Sequence, residues 1–504
     1  MAGEGSDGAA DEADATGVVR RDRFAGGPAR AFLSSLADDE RLFAADLAVD
    51  RAHVVMLAEQ GIVDDDDAAA ILDALAGIEA AGHGALPAGE DVHEAIETAV
   101  IEGIERDGEQ VIAGVGPAGG RMHTARSRND EVAACIRYRL RGDLLDLLDG
   151  LVAGRERLLD AAADHAETVM PGYTHLQPAQ PTTVGHWLCS YEAALARDTA
   201  RLLDAHDRTN RSPLGAAAFA GTPFDIDRER VADLLGFDGL VENAMDAASA
   251  RDFLVETTAG LAALATTLSG LAEDVVLAAN RGHVEVADAY ASTSSIMPQK
   301  KNPDTLELVR GRTGDAAAAF TGLVTTLKGL PRAYNRDLQR AGRHAWDAVD
   351  SVTESVDVAV GAVATAEWPT EELAAAAGDG FATATGLADL LAMAGIPFRT
   401  AHEVVARAAG TESVDVATLD AAGEAVLGEP VTDRVDRDRL ERALDPAGSV
   451  AMRDSRGGPA PDAVDAHLDR ARQALAADRD AVGTRRRRAD RAAERLATEV
   501  ASYG

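Results

Sequence analysis

Residues Asp130 to His165 read DEVAACIRYRLRGDLLDLLDGLVAGRERLLDAAADH, and the fold is decided by how this stretch is read. Ile136, Leu140, Leu144, Leu147, Leu151 and Leu158 return at spacings of three, four or seven, the period that places side chains on one face of an α-helix. No proline interrupts the run. It is about three times the roughly 12-residue mean of globular helices, and a helix of that length needs neighbours of similar length to cover it. Val184 to Asn210, Asp246 to Ala279, Pro303 to Lys328 and Arg343 to Ala366 hold the same period. The prediction is an all-α, three-domain subunit built on a central bundle of long helices.

Composition agrees. Aromatic residues are only 4% of the 504, and β-branched runs are scarce. Hydrophobic residues at 46% suffice for a large core, and the length suggests about three domains. The expected division is an acidic disordered tail over 1–17, an N-terminal helical domain over 18–120, the central bundle over 121–367, and a C-terminal helical domain over 368–504. The tail lacks the apolar stretch of a signal peptide, and no run of about 18 uninterrupted apolar residues predicts a membrane span. Cys135 and Cys189 fall on helical segments and are expected as buried free thiols in a reducing, cytoplasmic setting.

Charge narrows the partners. There are 85 Asp plus Glu against 49 Lys plus Arg, a formal net charge of -36, which repels polyanions and excludes nucleic acid as a partner. The acids are 53 Asp and 32 Glu; the cations are 46 Arg and three Lys. Dense Asp with almost no Lys is the pattern of a protein kept hydrated in concentrated salt, where screening makes self-repulsion tolerable. A halophilic source is expected.

Polar loops interrupt the helices. The stretch Gly114 to Gly119 matches a dinucleotide fingerprint in letters only, since no βαβ unit surrounds it. Arg485 to Arg488 sits on an Asp/Arg/Ala helix and reads as a solvated face, and Asp64 to Asp67 as a helix start. More specific is Ser294-Ser295-Ile296-Met297-Pro298-Gln299-Lys300-Lys301-Asn302-Pro303-Asp304, where two of the three lysines stand side by side. Hydroxyls, an ammonium, an amide and a following helix start together make a pocket for a carboxylate and a developing oxyanion. His123-Thr124-Ala125-Arg126-Ser127-Arg128-Asn129-Asp130 offers two guanidiniums for carboxylates. Thr174-His175-Leu176-Gln177-Pro178 places a histidine, the side chain suited to proton transfer near neutrality, in a Pro-bounded loop.

Together these three segments resemble the fumarase/aspartase superfamily of lyases, and within it the argininosuccinate lyase branch. Further similar stretches include Ser212-Pro213-Leu214-Gly215, Arg251-Asp252-Phe253 and Tyr334-Asn335-Arg336-Asp337-Leu338-Gln339, so the resemblance runs from about Arg23 to Asp480. It implies a fumarase/aspartase-like fold and a homotetramer in which each site takes loops from three subunits. It also implies a reversible anti β-elimination of argininosuccinate to arginine and fumarate, the last step of arginine biosynthesis. No cofactor, metal or membrane is involved. Adenylosuccinate lyase, aspartase and a non-catalytic crystallin-like scaffold are the alternative readings.

Carried over residue by residue, the resemblance makes Ser294 the base and His175 the acid, with Glu307 orienting the histidine and Lys300 acting beside the base. That Ser294 rather than Ser295 is the base comes from the resemblance alone. Substrate-binding positions are Ser35, Arg128, Asn129, Thr174, Asn302, Tyr334 and Gln339. Two departures stand out: Thr293 replaces a family glycine before the paired serines, and Gly342, flanked by Arg340 and Arg343, replaces a substrate-binding lysine.

Overall fold

The computed structural model describes residues 28–106, 109–411 and 413–504. The tail expected over 1–17 lies outside the described residues. The chain opens with α1 (Pro28–Leu33), α2 (Phe43–Glu59), α3 (Asp65–Ala81) and α4 (Val92–Glu102), followed by an antiparallel hairpin of β1 (Gly103–Arg106) and β2 (Glu109–Ala113). The acids Asp65 to Asp67 fill the first turn of α3, and Arg121 pairs with Asp64 and Asp67.

The bundle begins at α5 (Arg128–Asp164), the 37-residue helix announced by the opening stretch. Ser127 caps it and Asp130 closes a capping box, satisfying backbone N–H groups that a helix start leaves open. A second hairpin, β3 (Val169–Thr174) and β4 (Gln177–Thr183), turns the chain into α6 (Val184–Thr209). Then come α7 (Arg228–Leu234), α8 (Ala244–Ser249) and α9 (Asp252–Asn280), a third hairpin of β5 (Ser292–Thr293) and β6 (Lys301–Asn302), α10 (Asp304–Leu327) and α11 (Ala341–Ala364). α5, α6, α9, α10 and α11 pack along one another. The helix expected over Asp246 to Ala279 is divided, because Ala250 is extended and Arg251 turns inward to full burial.

Buried Leu140, Leu144, Leu148, Leu151, Leu158 and Leu261 fill the bundle, each contributing about 1.5–3 kcal/mol by leaving water. Gly154 lets α5 and α11 approach: a Cβ there would meet Val360 at 3.3 Å. α9 has the length and composition of a membrane-crossing helix, but Leu254, Leu261, Leu264, Leu268, Leu271 and Val275 are buried in the bundle, so it is a core helix.

After the bundle come α12 (Thr370–Gly378), α13 (Ala384–Met393), α14 (Phe398–Ala408), α15 (Val416–Leu427), α16 (Arg437–Leu444), α17 (Pro446–Ala451) and α18 (Pro461–Ala501). Leu387 to Ala443 form a separate apolar core. The 41-residue α18 differs from the expectation that it belongs to a C-terminal domain. It lies along α5 and α6, and its Val464, Leu468, Leu475, Val482 and Leu496 join the large core. Fully buried Arg155 on α5 locks this return, binding Glu192 on α6 at 3.0 Å and Asp478 on α18 at 2.7 Å.

Candidate active site

The residues singled out in the sequence fall into two groups at opposite ends of the bundle. At the start of α5, Arg128 is half-buried, 3.7 Å from Asp91 and 3.9 Å from Glu94. Asn129 donates to the Ala218 carbonyl at 3.0 Å. Asp91 also lines a cavity of about 380 Å³ shared by Ser35, His93, Tyr334, Gln339 and Gly342. Ser35 Oγ donates to Asp39 at 2.6 Å, and Gln339 Nε2 donates to the Leu33 carbonyl at 3.0 Å. Arg340 and Arg343, the residues flanking Gly342, line the same cavity. Burial raises the Tyr334 phenol, keeping it a neutral hydrogen-bond donor.

Arg126 corrects the expectation that both guanidiniums of this segment face substrate. Its side chain is sealed, pairing with Asp50 at 2.6 Å and Glu131 at 3.1 Å. Asp46 binds His93 at 2.8 Å beside them, and Cys135 donates to Asp46 at 3.3 Å. Burial opposes a charge on His93, but Asp46 and then Glu131 override it and hold the imidazolium up to about 10. Burial lifts Asp50 to about 6 against the pull of Arg126, and lifts Glu131 well above the usual range. Three carboxylates thus face two cations, Arg126 and His93, in one buried, coupled network. Asp46, His93 and Cys135 are within reach of a common ion, as are Asp46, Asp50 and Glu131. Arg126 and the imidazolium already supply positive charge there, so the donor set is that of an ion-pair network. Asp39, Asp91 and His93 were missed in the sequence. Their signal was two acids, Asp46 and Asp50, four apart on a helix whose other buried residues are, His53 apart, apolar.

At the other end, His175 and Leu176 form the two-residue tip of the β3–β4 hairpin, with φ of 55° and 59°. Positive φ at both positions is the twist a tight hairpin demands. Pro178, which bounds the expected loop, sits in the paired strands instead, opposite Tyr173, as do Pro171 and Pro181, which pair with each other. Thr174 and His175 are exposed. Lower on the hairpin, Tyr173 stacks on His283, just past α9, with ring centroids 6.2 Å apart.

Between β5 and β6 the chain forms a tight loop. Ser294 N–H donates to the Lys300 carbonyl at 3.0 Å, while Ser294 Oγ accepts from the N–H groups of Ile296 at 3.3 Å and Met297 at 3.0 Å. Two backbone donors on one hydroxyl oxygen favour negative charge there. Lys300 is exposed, whereas Lys301 is tied to Glu285 at 3.1 Å and Asp288 at 2.7 Å. Asn302 pairs with Ser292, and Thr293 with Lys301. Glu307 is exposed in the first turn of α10.

Distance separates the two groups within one chain. The 37 residues of α5 span about 55 Å and the 24 of α10 about 36 Å. Arg128 and Asn129 begin α5, and His175 lies beyond its end; Ser294 to Asn302 precede α10, and Tyr334 and Gln339 follow it. Within a single chain the two groups of candidate residues therefore stay apart.

A family model described as lyase matches residues 31–317, and one described as argininosuccinate lyase C-terminal matches 381–451. Among solved structures, EDDS lyase in complex with formate superposes with a TM-score of 0.81 at 32% identity, covering 95% of this chain and 96% of that one. A class II fumarase from Schistosoma mansoni gives 0.65 at 15% identity, covering 81% and 90%, a likeness of fold. The fold and the matching family model define a helical-bundle lyase. Argininosuccinate lyase of Haloarcula marismortui is 69% identical over 98% of both chains, that of Natronomonas pharaonis 66% over 96% of this chain and 97% of its own, and that of Methanosarcina acetivorans 45% over 96% and 99%. The chain belongs to the argininosuccinate lyase family of carbon–nitrogen lyases. Its relatives in Haloarcula and Natronomonas come from halophilic archaea, in keeping with the charge pattern.

Proposed function

We propose that the chain cleaves argininosuccinate reversibly to arginine and fumarate by anti β-elimination, the last step of arginine biosynthesis. The observation that carries this reading is the Ser294 loop. Its hydroxyl oxygen accepts two backbone N–H bonds beside an exposed lysine, in a chain of the argininosuccinate lyase family. Ser294, as an alkoxide, takes the proton next to the substrate carboxylate. The electron pair passes through an aci-carboxylate held by Lys300 and Asn302, the C=C bond forms, and the C–N bond breaks. His175, oriented by Glu307, gives its proton to the departing guanidine nitrogen. Arg128, Asn129, Thr174, Ser35, Tyr334 and Gln339 hold the rest of the substrate.

The protein acts in the cytoplasm as a homotetramer whose sites combine loops from different copies. Support comes from the opposite placement of the half-sites and from the outer face of α10, where Leu308, Gly311, Ala317, Ala318, Thr321 and Val324 are exposed. Apolar and small residues on a long helix suit packing against another helix.

Ultraviolet absorbance of released fumarate tests the activity, with argininosuccinate, adenylosuccinate and aspartate as parallel substrates. Release from argininosuccinate alone is expected. Preference for either of the others, or no release from any, would replace this reading.

A further inference from the structure

A cavity of about 350 Å³ lies at mid-bundle, between the middle of α5, the end of α6, the turn after α7 and α18. Arg141, which faces it, is 13 residues and about 20 Å along α5 from Arg128, away from both half-sites. Four guanidiniums line the cavity, those of Arg141, Arg211, Arg485 and Arg488, against the two carboxylates of Asp207 and Asp238. Arg485 is held by Asp207 through two bonds of 2.7 Å, and Arg488 by Asp238. Arg141 and Arg211 have no carboxylate partner among the described residues, so two positive charges are in excess.

That excess is notable in a chain of net charge -36. Arg141 is only 4% exposed. Its N–H groups reach the Asn210 side chain and the Leu235 carbonyl, and its guanidinium lies 4.4 Å from the Tyr138 ring and 4.7 Å from that of Phe237. Those partners are neutral, and a buried charge without a counter-charge is costly. Burial also lowers the neighbouring His206 to about 4, so it adds no charge near neutrality. Arg211 is exposed at the rim, able to close over an incoming group.

We propose that this cavity binds a small oxyanion carrying two negative charges, of the inorganic phosphate or sulfate type, between Arg141, Arg211 and Arg488. Guanidiniums suit such a ligand because their N–H groups meet paired oxygens in fixed geometry. An anion here would tie α18 to α5 and the end of α6, the helices that meet at the cavity.

Equilibrium dialysis of the full chain against radiolabelled inorganic phosphate, in concentrated potassium chloride at fixed ionic strength, tests the site. One phosphate per chain is expected, displaced by sulfate and at least tenfold less well by acetate. Arg211→Ala and Arg488→Ala should each weaken binding at least tenfold, while Arg437→Ala on α16 should not. Lys300→Ala should leave the stoichiometry at one; its fall to zero would put the phosphate in the Ser294 half-site and overturn the proposal. Absence of saturable binding, unchanged affinity in both cavity variants, or equal displacement by acetate would also overturn it.

Discussion

Asp46 Oδ1 lies 2.8 Å from His93 Nδ1, and neither side chain reaches solvent. The pair joins α2 to α4 directly behind the cavity that holds Ser35, Tyr334 and Gln339. Since the folded His93 is held up to about 10 against 6.5 for a free histidine, its contribution is complete below pH 6.5 and disappears as pH rises through 10. Asp50, lifted to about 6, acts in the same direction at lower pH, costing stability as it ionises between about 4 and 6. Urea unfolding at constant salt should therefore show stability falling from pH 7 to pH 10. Asp46→Asn should cost roughly 3–5 kcal/mol at pH 7 and flatten that slope; an unchanged slope would detach His93 from it.

Ser294→Ala and His175→Asn should each lower kcat by about two orders of magnitude or more, with smaller changes in KM, as expected of the base and the acid of the proposed elimination. Fumarate absorbance reads both. Activity retained in either variant would remove that residue from its role.

The separation of the two groups of candidate residues, with sites shared between copies as proposed, predicts complementation. Arg128→Ala and Ser294→Ala, each inactive alone, should regain activity when the two chains are coassembled in equal amounts, to about a quarter of wild type for a site shared by two copies. No recovery after coassembly would place the site within one chain.

Arg340 and Arg343 line the cavity with Gln339 and flank Gly342, where the resemblance leads one to expect a substrate-binding lysine. Replacing whichever one contacts a substrate carboxylate by Ala should raise KM for argininosuccinate about tenfold or more, with kcat less affected. A KM unchanged in both variants would mean that this contact has been lost.

The net charge of -36 predicts that transfer to low salt unfolds or dissociates the protein, as screening lengthens from about 3 Å at molar salt to about 30 Å at 10 mM. Circular dichroism and sedimentation across a salt series check this. Equal stability at both ends would separate the acidic surface from salt tolerance.

Helix periodicity is local, so the sequence by itself determined that the protein is a long-helix bundle: four of the five long segments start and stop within two residues of their helices. The polar loops between the helices were also legible, because serines, lysines, histidine and proline stand out against an Ala/Asp/Arg background. What sequence spacing could not decide was which of two neighbouring charges meets solvent. Arg126 and Arg128 are two residues apart, yet one is sealed between Asp50 and Glu131 while the other stays half-open beside Asp91. Lys300 is exposed and Lys301 is tied to Glu285 and Asp288. Those outcomes depend on side chains up to about 80 positions away, brought together only when helices pack. The same packing carries α18 back from the C-terminal region to the bundle and holds Ser294 and Gln339 at opposite ends of a rod. Burial and ion pairing are properties of the folded neighbourhood, which tertiary structure alone creates.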